Sequence, residues 1–218
     1  KTLSRKRTKK NTMKTKTIIL NRRPKGKPTL ENFHINETAL PSLADGEILV
    51  ESIYVSVDPY LRGRMNDVKS YIAPFELQKP IRSGSVARVI ESKNGSFAVD
   101  DIVTGELAWQ EKQITDGTGL HKIPESKAPL SAYLGVLGMT GLTAYFGLEK
   151  IGNLKEGETL VISGGAGAVG SVAGQIGKLK GCKVVGIAGS DEKVQIMKDE
   201  FGFDEGINYK TTTDIKKA

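Results

Sequence analysis

The fold is decided by the stretch LVISGGAGAVGSVAGQIGKLKG, residues 160–181. Its first residues are apolar and have the character of a buried strand. Gly165, Gly167 and Gly170 follow directly and spell G-x-G-x-x-G. The residues after the turn repeat at helical spacing and predict one apolar helix face, formed by Val169, Val172, Ala173, Ile176 and Leu179. A strand, a glycine turn and an amphipathic helix in this order are typical of a dinucleotide-binding unit.

The chemistry of this turn favours a phosphate ligand. Glycines permit a tight turn and let the backbone approach a pyrophosphate, while the following helix presents its positive N-terminal end to the anion. The motif alone has an alternative interpretation, because glycine-rich turns also occur in unrelated α/β proteins. The strand before it and the helix after it favour dinucleotide binding.

The chain beyond this unit continues to alternate between strand and helix. Residues 183–188 predict a second strand, residues 191–201 a helix capped by Ser190, and residues 206–209 a third strand. Alternation of this kind predicts a parallel sheet with right-handed crossovers.

The segment just upstream, residues 128–148, contains no charged side chain and has nearly the length of a bilayer span. Proline, threonine, serine and glycine interrupt it, so a membrane span is not expected. We expect two short buried helices, broken near Gly138 and Gly141.

The first half of the chain has a different pattern. Residues 46–57, 84–91 and 97–106 predict short strands separated by turn residues, which indicates a small barrel or sandwich. The expected organisation is a β domain at residues 13–127 and an α/β domain at residues 128–218.

The formal charge of +7 is concentrated at one end of the sequence, because residues 1–16 hold eight Lys or Arg and no acid. Removing these eight leaves 24 basic residues against 25 acidic ones, so the body predicts no nucleic-acid surface. Met13 is a plausible native start, and we expect residues 1–12 to be a non-native or disordered tail. A binder of nucleic acid or of an anionic surface through this tail remains the alternative.

Few residues could bind a metal ion. Catalytic zinc needs three protein ligands, and the sequence offers His34, His121 and the single Cys182, in unrelated stretches. We therefore expect no metal site, and the lone cysteine fits a reducing compartment, predicted to be the cytoplasm.

The end of the second predicted strand selects between cofactors. NAD enzymes usually carry a carboxylate there, whereas this sequence has Ala188, Gly189 and Ser190. With Lys193 in the first turn of the next helix, this pattern favours a 2′-phosphate and hence NADPH. Two alternatives stay open: Asp191 could serve as the ribose carboxylate, and Lys193 could be an ordinary surface lysine.

Four motifs together resemble a known family. They are SVDPYLRGRM (56–65), GMTGLTAYFGL (138–148), GGAGAVGSVAGQIGKLKGCKVVGIAGSDEK (164–193) and INYKT (207–211). In this order they resemble the zinc-independent medium-chain dehydrogenase/reductases, within them the group of leukotriene B4 dehydrogenase, prostaglandin reductase and alkenal reductase. The resemblance implies an α/β plus β fold class: a GroES-like barrel domain followed by the first half of a Rossmann doubly wound parallel sheet.

The resemblance also implies roles for individual residues. Gly165, Gly167, Ala168, Val169 and Gly170 match the pyrophosphate turn. Further matches are Lys193 and Tyr209 at the 2′-phosphate, Met139 and Thr143 near the cofactor, and Tyr60 in the substrate pocket. A packed aromatic of the barrel is the alternative for Tyr60.

The implied reaction is NADPH-dependent reduction of a double bond conjugated to a carbonyl, on a small-molecule enone, enal or quinone. The resemblance suggests a homodimer. Quinone reduction within the same superfamily and a non-catalytic dinucleotide-binding fragment are the alternatives. Only 55 residues follow Ser163, which is enough for about three of six Rossmann strands. We therefore expect these residues alone to bind NADPH poorly, to turn over no substrate and to aggregate at the open flank of the first Rossmann strand.

Overall fold

The fold is described from a computed structural model over residues 13–212. Contacts divide the chain between Lys127 and Ala128 into two compact units, called here the β unit and the α/β unit. The predicted basic tail at residues 1–12 lies outside the described residues.

The β unit consists of antiparallel strands. Two of them, β1 (Lys14–Leu20) and β2 (Phe33–Ala39), pair with each other. A five-stranded sheet in the order β6-β3-β4-β5-β7 contains β3 (Ile48–Val55), β4 (Arg82–Ser92), β5 (Ile102–Ala108), β6 (Lys112–Thr115) and β7 (His121–Lys122). A 3-10 turn at Leu30–Asn32 and the short helix α1 (Pro59–Arg64) complete the unit.

The strand predicted at residues 97–106 begins later than expected, at Ile102. Residues 98–101 form a turn instead, because the Asp101 carboxylate accepts from the backbone N–H of Ala98 at 2.7 Å and the Asp101 N–H donates back to the Ala98 carbonyl. Asp100 in this turn has a φ of 71°. Local side-chain hydrogen bonds of this kind compete with strand formation.

Two clusters of large apolar side chains fill the β unit. One is formed mainly by side chains of the five-stranded sheet and includes Ile48, Val89 and Val103. The other surrounds α1 and includes Leu61 and Ile81, with Tyr60 and Trp109 packed against it. Burial of such side chains is the main source of stability in this unit.

The α/β unit alternates as the sequence predicts. Its elements are α2 (Met139–Phe146), β8 (Thr159–Ser163), α3 (Ala168–Leu179), β9 (Lys183–Ala188), α4 (Asp191–Asp199) and β10 (Glu205–Asn208). The three strands are parallel, in the order β10-β9-β8. This order is that of the first three strands of a Rossmann sheet.

The buried face of α3 agrees in part with the predicted one, because Ala173 is buried and Val172 and Ile176 pack against the same core cluster. Leu179 is 88% exposed and Val169 is 37% exposed, so neither belongs to the packing face. The closest contacts are made by Gly174 against the ring of Phe203, and by Gly177 against Leu160 and Val184. Glycines let the helix approach the sheet so closely that the buried face is shifted toward them.

Two short helical segments are present within residues 128–148, with Gly138 between them as expected, but their expected burial is wrong. A 3-10 turn at Leu130–Leu134 precedes α2, and a π-helical turn at Gly147–Ile151 follows it. Gly141 lies inside α2 rather than at a break, because the absence of a side chain lets the helix pass the Val136 carbonyl closely. Several apolar side chains of α2 are about half exposed, including Leu142 and Tyr145. Across residues 13–212, every helix falls short of the length and apolar character that crossing a membrane requires.

Candidate functional site

A cavity of about 390 Å³ opens where the three parallel strands of the α/β unit end. In an open parallel sheet this edge is where ligands bind. The lining residues lie at the carboxyl ends of β8 and β9, in the turns after β8, β9 and β10, and in the first turn of α4: Ser163, Gly164, Ala166, Gly167, Ile187, Ala188, Gly189, Lys193, Tyr209 and Lys210. The structure thus brings three predicted site residues together in one cavity, Gly167, Lys193 and Tyr209.

The turn after β8 forms one wall of this cavity. Gly164 has a φ of +64°, a conformation that favours glycine, and its carbonyl accepts from the Gly167 N–H at 2.8 Å. Helix α3 begins directly afterwards, at Ala168. The N–H groups of Ala168, Val169 and Gly170 lie in the first helical turn, where the helix itself supplies no acceptor. They are suited to an anion.

Gly165 and Gly170 serve the packing of the turn. A side chain at Gly165 would place its Cβ 2.5 Å from the Met197 sulfur and 3.2 Å from Gly186 Cα. A side chain at Gly170 would overlap the Gly164 carbonyl. Both positions therefore require glycine for the fold of the turn, whichever ligand occupies the cavity.

The opposite wall combines an aromatic ring with two cations. The Tyr209 ring covers Gly189 so closely that a Cβ there would lie 3.0 Å from the tyrosine oxygen. Lys193 in α4 and Lys210 in the turn after β10 bring positive charge to the same cavity. The lining in the described part of the chain contains no carboxylate. Sequence reasoning missed Lys210, although its position next to Tyr209 was a usable signal.

Asp191, the alternative ribose ligand, is the first residue of α4 and is engaged by another side chain. The amide nitrogen of Asn208 donates to its carboxylate at 2.7 Å. Ser190 caps the helix as predicted, accepting from the Lys193 N–H at 3.4 Å.

Met139 and Thr143 lie on α2 and are outside the lining given for the cavity. The Thr143 hydroxyl donates to the Met139 carbonyl one turn earlier, at 2.7 Å. Their helix packs against α3. Their predicted proximity to a cofactor stays a prediction.

Tyr60 belongs to the β unit. Its half-buried ring packs against the cluster that contains Leu61 and Ile81, which agrees with a structural role without excluding a substrate contact. Burial raises the pKa of the Tyr60 hydroxyl above its usual value, and the nearby Asp58 carboxylate adds to this effect. The side chain is therefore a neutral O–H donor at neutral pH.

The metal-ligating residue types are dispersed. His34 lies on β2 and His121 on β7, while Cys182 is buried and donates from its sulfur to the Lys155 carbonyl at 3.2 Å. Within residues 13–212, no three His, Cys, Asp or Glu side chains are grouped so that they could hold a metal ion.

Two family models match the sequence in the order of the two units. The N-terminal domain of oxidoreductase matches residues 16–123, and the family described as zinc-binding dehydrogenase matches residues 168–218. The second description mentions zinc, but the residues of its match include no histidine and a single cysteine, Cys182.

Curated relatives are similar along most of the chain. A putative NADP-dependent oxidoreductase of Bacillus subtilis, YfmJ, is 57% identical over 92% of this chain and 59% of its own. Prostaglandin reductase 1 of Rattus norvegicus is 49% identical over 93% of this chain and 60% of its own. The NADP(+)-dependent 2-alkenal reductase of Nicotiana tabacum is 41% identical over 93% and 61%. The chain thus spans about three fifths of the length of these relatives.

A solved structure has the same fold. CurA from Vibrio vulnificus in complex with NADPH superimposes with a TM-score of 0.83 at 47% identity, covering 90% of this chain and 58% of its own.

The antiparallel unit followed by a unit whose parallel sheet has Rossmann strand order is the two-domain arrangement of a GroES-like and a Rossmann fold. The chain belongs to the medium-chain dehydrogenase/reductases, in the group that contains prostaglandin reductase 1 and the 2-alkenal reductase. The fold class predicted from the sequence is confirmed.

Proposed function

We propose that the protein is an NADPH-dependent oxidoreductase that reduces the conjugated double bond of α,β-unsaturated carbonyl compounds without zinc. The observation that carries the proposal is the cavity at the strand ends, where Gly167, Lys193 and Tyr209 converge with Lys210. Names of the relatives support the cofactor and the substrate class, since they include an NADP-dependent oxidoreductase and an NADP(+)-dependent 2-alkenal reductase.

The residues of the cavity fit the adenosine half of NADPH. The start of α3 offers the backbone N–H groups of Ala168, Val169 and Gly170 to the pyrophosphate. Lys193 and Lys210 supply positive charge for the 2′-phosphate, and the Tyr209 ring supplies a flat wall beside it. A lining without a carboxylate favours the phosphorylated cofactor over NADH.

Bound NADPH would supply the hydride that the β-carbon of the substrate accepts. The protein then has to orient the substrate and stabilise the negative charge that develops on the carbonyl oxygen. Tyr60 is the residue we assign to substrate contact, because its hydroxyl keeps its proton at neutral pH and can donate to that oxygen. Met139 and Thr143 are proposed to lie near the cofactor.

The remaining proposals concern the whole protein. We assign it a small-molecule enone or enal as substrate, a homodimeric state and a cytoplasmic location. A quinone reductase or a non-catalytic dinucleotide-binding protein would use the same cavity, so the activity assay has to compare enals with quinones.

The cofactor proposal is tested by calorimetric titration of the chain with adenosine 2′,5′-bisphosphate and 5′-AMP, which differ only in the 2′-phosphate. Lys193→Ala should weaken binding of the bisphosphate roughly ten- to a hundredfold, as expected for a lost charge-assisted contact. Lys198→Ala, in the last turn of the same helix, is the matched control and should change nothing. Equal affinity of the unaltered chain for both ligands would refute the NADPH assignment.

The reaction is tested by following the loss of nicotinamide absorbance with an alkenal, an enone or a quinone present. Oxidation of NADPH by the alkenal, with the saturated aldehyde as product, is expected of the whole enzyme. Tyr60→Phe should lower the rate about tenfold if its hydroxyl donates to the substrate. Tyr71→Phe, an exposed tyrosine of the same unit, is the control. Turnover of quinones alone would refute the double-bond reaction.

A further inference from the structure

Asn208, at the end of β10, contacts Asp191 of α4 and Lys210 of the cavity lining. Its side-chain nitrogen donates to the Asp191 carboxylate at 2.7 Å, and its side-chain oxygen accepts from the Lys210 N–H at 3.1 Å. Asp191 begins α4, and Lys210 lines the cavity. One amide side chain therefore joins the start of α4 to the turn after β10.

The Asp191 carboxylate is close enough in sequence to the lining residues that, if it were free, it could repel a bound phosphate. Asp191 lies in sequence between two lining residues, Gly189 and Lys193. A free carboxylate at the end of the second strand binds ribose hydroxyls and repels a 2′-phosphate. The Asn208 amide donates a hydrogen bond to this carboxylate and fixes its direction. Since the amide is neutral, it adds no charge beside the cavity.

The same residue also fixes the turn that carries the second cation. The Asn208 carbonyl accepts from the N–H groups of Thr211 and Thr212 at 3.2 and 3.0 Å. With the side-chain bond to the Lys210 N–H, these contacts hold the turn in one conformation. Asn208 thus controls the direction of one negative group and the backbone position of one positive group.

We propose that Asn208 is a positioning residue that determines cofactor specificity: it keeps the Asp191 carboxylate out of the cavity lining and so favours a 2′-phosphorylated nucleotide. This inference rests on the NADPH-dependent function proposed above. It predicts a coupling between Asn208 and Asp191 that a purely structural role would not produce.

The test is a double-substitution cycle on the chain, with binding of adenosine 2′,5′-bisphosphate and 5′-AMP measured by calorimetry. Asn208→Ala should weaken binding of the bisphosphate roughly three- to tenfold through the released carboxylate, and leave 5′-AMP unchanged or bound more tightly. Adding Asp191→Asn should restore binding of the bisphosphate to nearly the original affinity. Asp191→Asn alone should weaken binding of neither ligand.

The outcomes separate this inference from the function it rests on. If the original chain prefers the bisphosphate and the double variant fails to recover, Asn208 acts through the turn alone and the inference is wrong. Equal weakening of both ligands by Asn208→Ala would overturn it as well. If the original chain shows no preference for the bisphosphate, the NADPH assignment itself fails. A thermal melt of each variant identifies any loss of binding that comes from unfolding, and Asn208→Ser provides a smaller change at the same position.

Discussion

The two units of the chain build their interiors in opposite ways. In the β unit, large side chains such as Ile81 and Val103 form the buried clusters, and two pairings join strands that are not consecutive, β3 with β6 and β5 with β7. Strands β1 and β6, which are far apart in sequence, are also linked, because the Thr15 hydroxyl donates to the Lys112 carbonyl at 2.7 Å. In the α/β unit, Gly174 and Gly177 let α3 approach the sheet, and each strand pairs with the next one along the chain.

This difference explains where the candidate nucleotide site can form. Every lining residue of the cavity lies between Ser163 and Lys210, at the carboxyl ends of consecutive strands or in the segments that follow them. A short contiguous segment therefore specifies the site, and the local motif is informative. A site in the β unit would have to be assembled from strands far apart in sequence, as the second cluster around Ile81 is.

The largest expected effect comes from truncation in the β unit. Ile81→Ala should lower the free energy of unfolding by about 2–5 kcal/mol, because Ile81 is fully buried and its removal leaves a cavity. Ile35→Ala, on the exposed strand β2 of the same unit, should cost little, since Ile35 is 61% exposed. Urea unfolding followed by circular dichroism measures both. Similar losses for the two variants would contradict the idea that filled volume holds this unit together.

Replacing a helix glycine by alanine should lower the free energy of unfolding more in the α/β unit than in the β unit. Gly174→Ala pushes a methyl group into the Phe203 ring and should destabilise the unit by about 1–3 kcal/mol, even though alanine favours helices. Gly63→Ala in α1 of the β unit has open space around it and should stabilise by up to about 1 kcal/mol. Thermal unfolding of the two variants and of the unaltered chain measures both changes in stability. A stabilising Gly174→Ala would show that α3 does not depend on close approach.

These contrasts also show why sequence reasoning succeeded unevenly. The alternation after residue 158 predicted the parallel sheet, because each helix and strand has its own periodicity. The face of α3 was predicted only in part: Val172, Ala173 and Ile176 pack against the core, whereas Leu179 is exposed and the other buried positions of the helix are glycines. In the β unit, the late start of β5 depends on the hydrogen bonds of Asp101, which no hydrophobic pattern records.

The residues of the candidate site also differ in whether the sequence could predict them. Gly167 was found from the glycine motif, Lys193 from its place after the second predicted strand, and Tyr209 from the family resemblance. The bond from Asn208 to Asp191 joins the ends of two elements, and nothing in the spacing of the residues predicts it. Met139 and Thr143 were assigned by resemblance, and their roles stay predictions.

The smallest expected effect concerns two carboxylates, one in each unit, that each accept from a backbone N–H and from a lysine. Asp204 accepts from the Val184 N–H and from Lys178, each at 2.6 Å, and Asp101 accepts from the Ala98 N–H and from Lys122, each at 2.7 Å. The bond from the lysine contributes most to lowering the pKa of each carboxyl, and the backbone bond adds to it. A lowered pKa in the folded state means that the carboxylate stabilises the fold above the unfolded pKa of about 3.9. This contribution is lost as the pH falls through the lower, folded-state pKa.

Asp204→Asn should therefore lower the melting temperature at pH 7 and have a smaller effect near pH 3. The loss at pH 7 should stay below about 1 kcal/mol, because the ion pair is more than a third exposed and solvent screens it. Asp101→Asn should show the same pH dependence. Asp199→Asn, whose carboxylate accepts from Gln195 on the surface of α4, is the control. If the Asp204 variant is destabilised equally at both pH values, the hydrogen bond donated by the Val184 N–H matters rather than the charge.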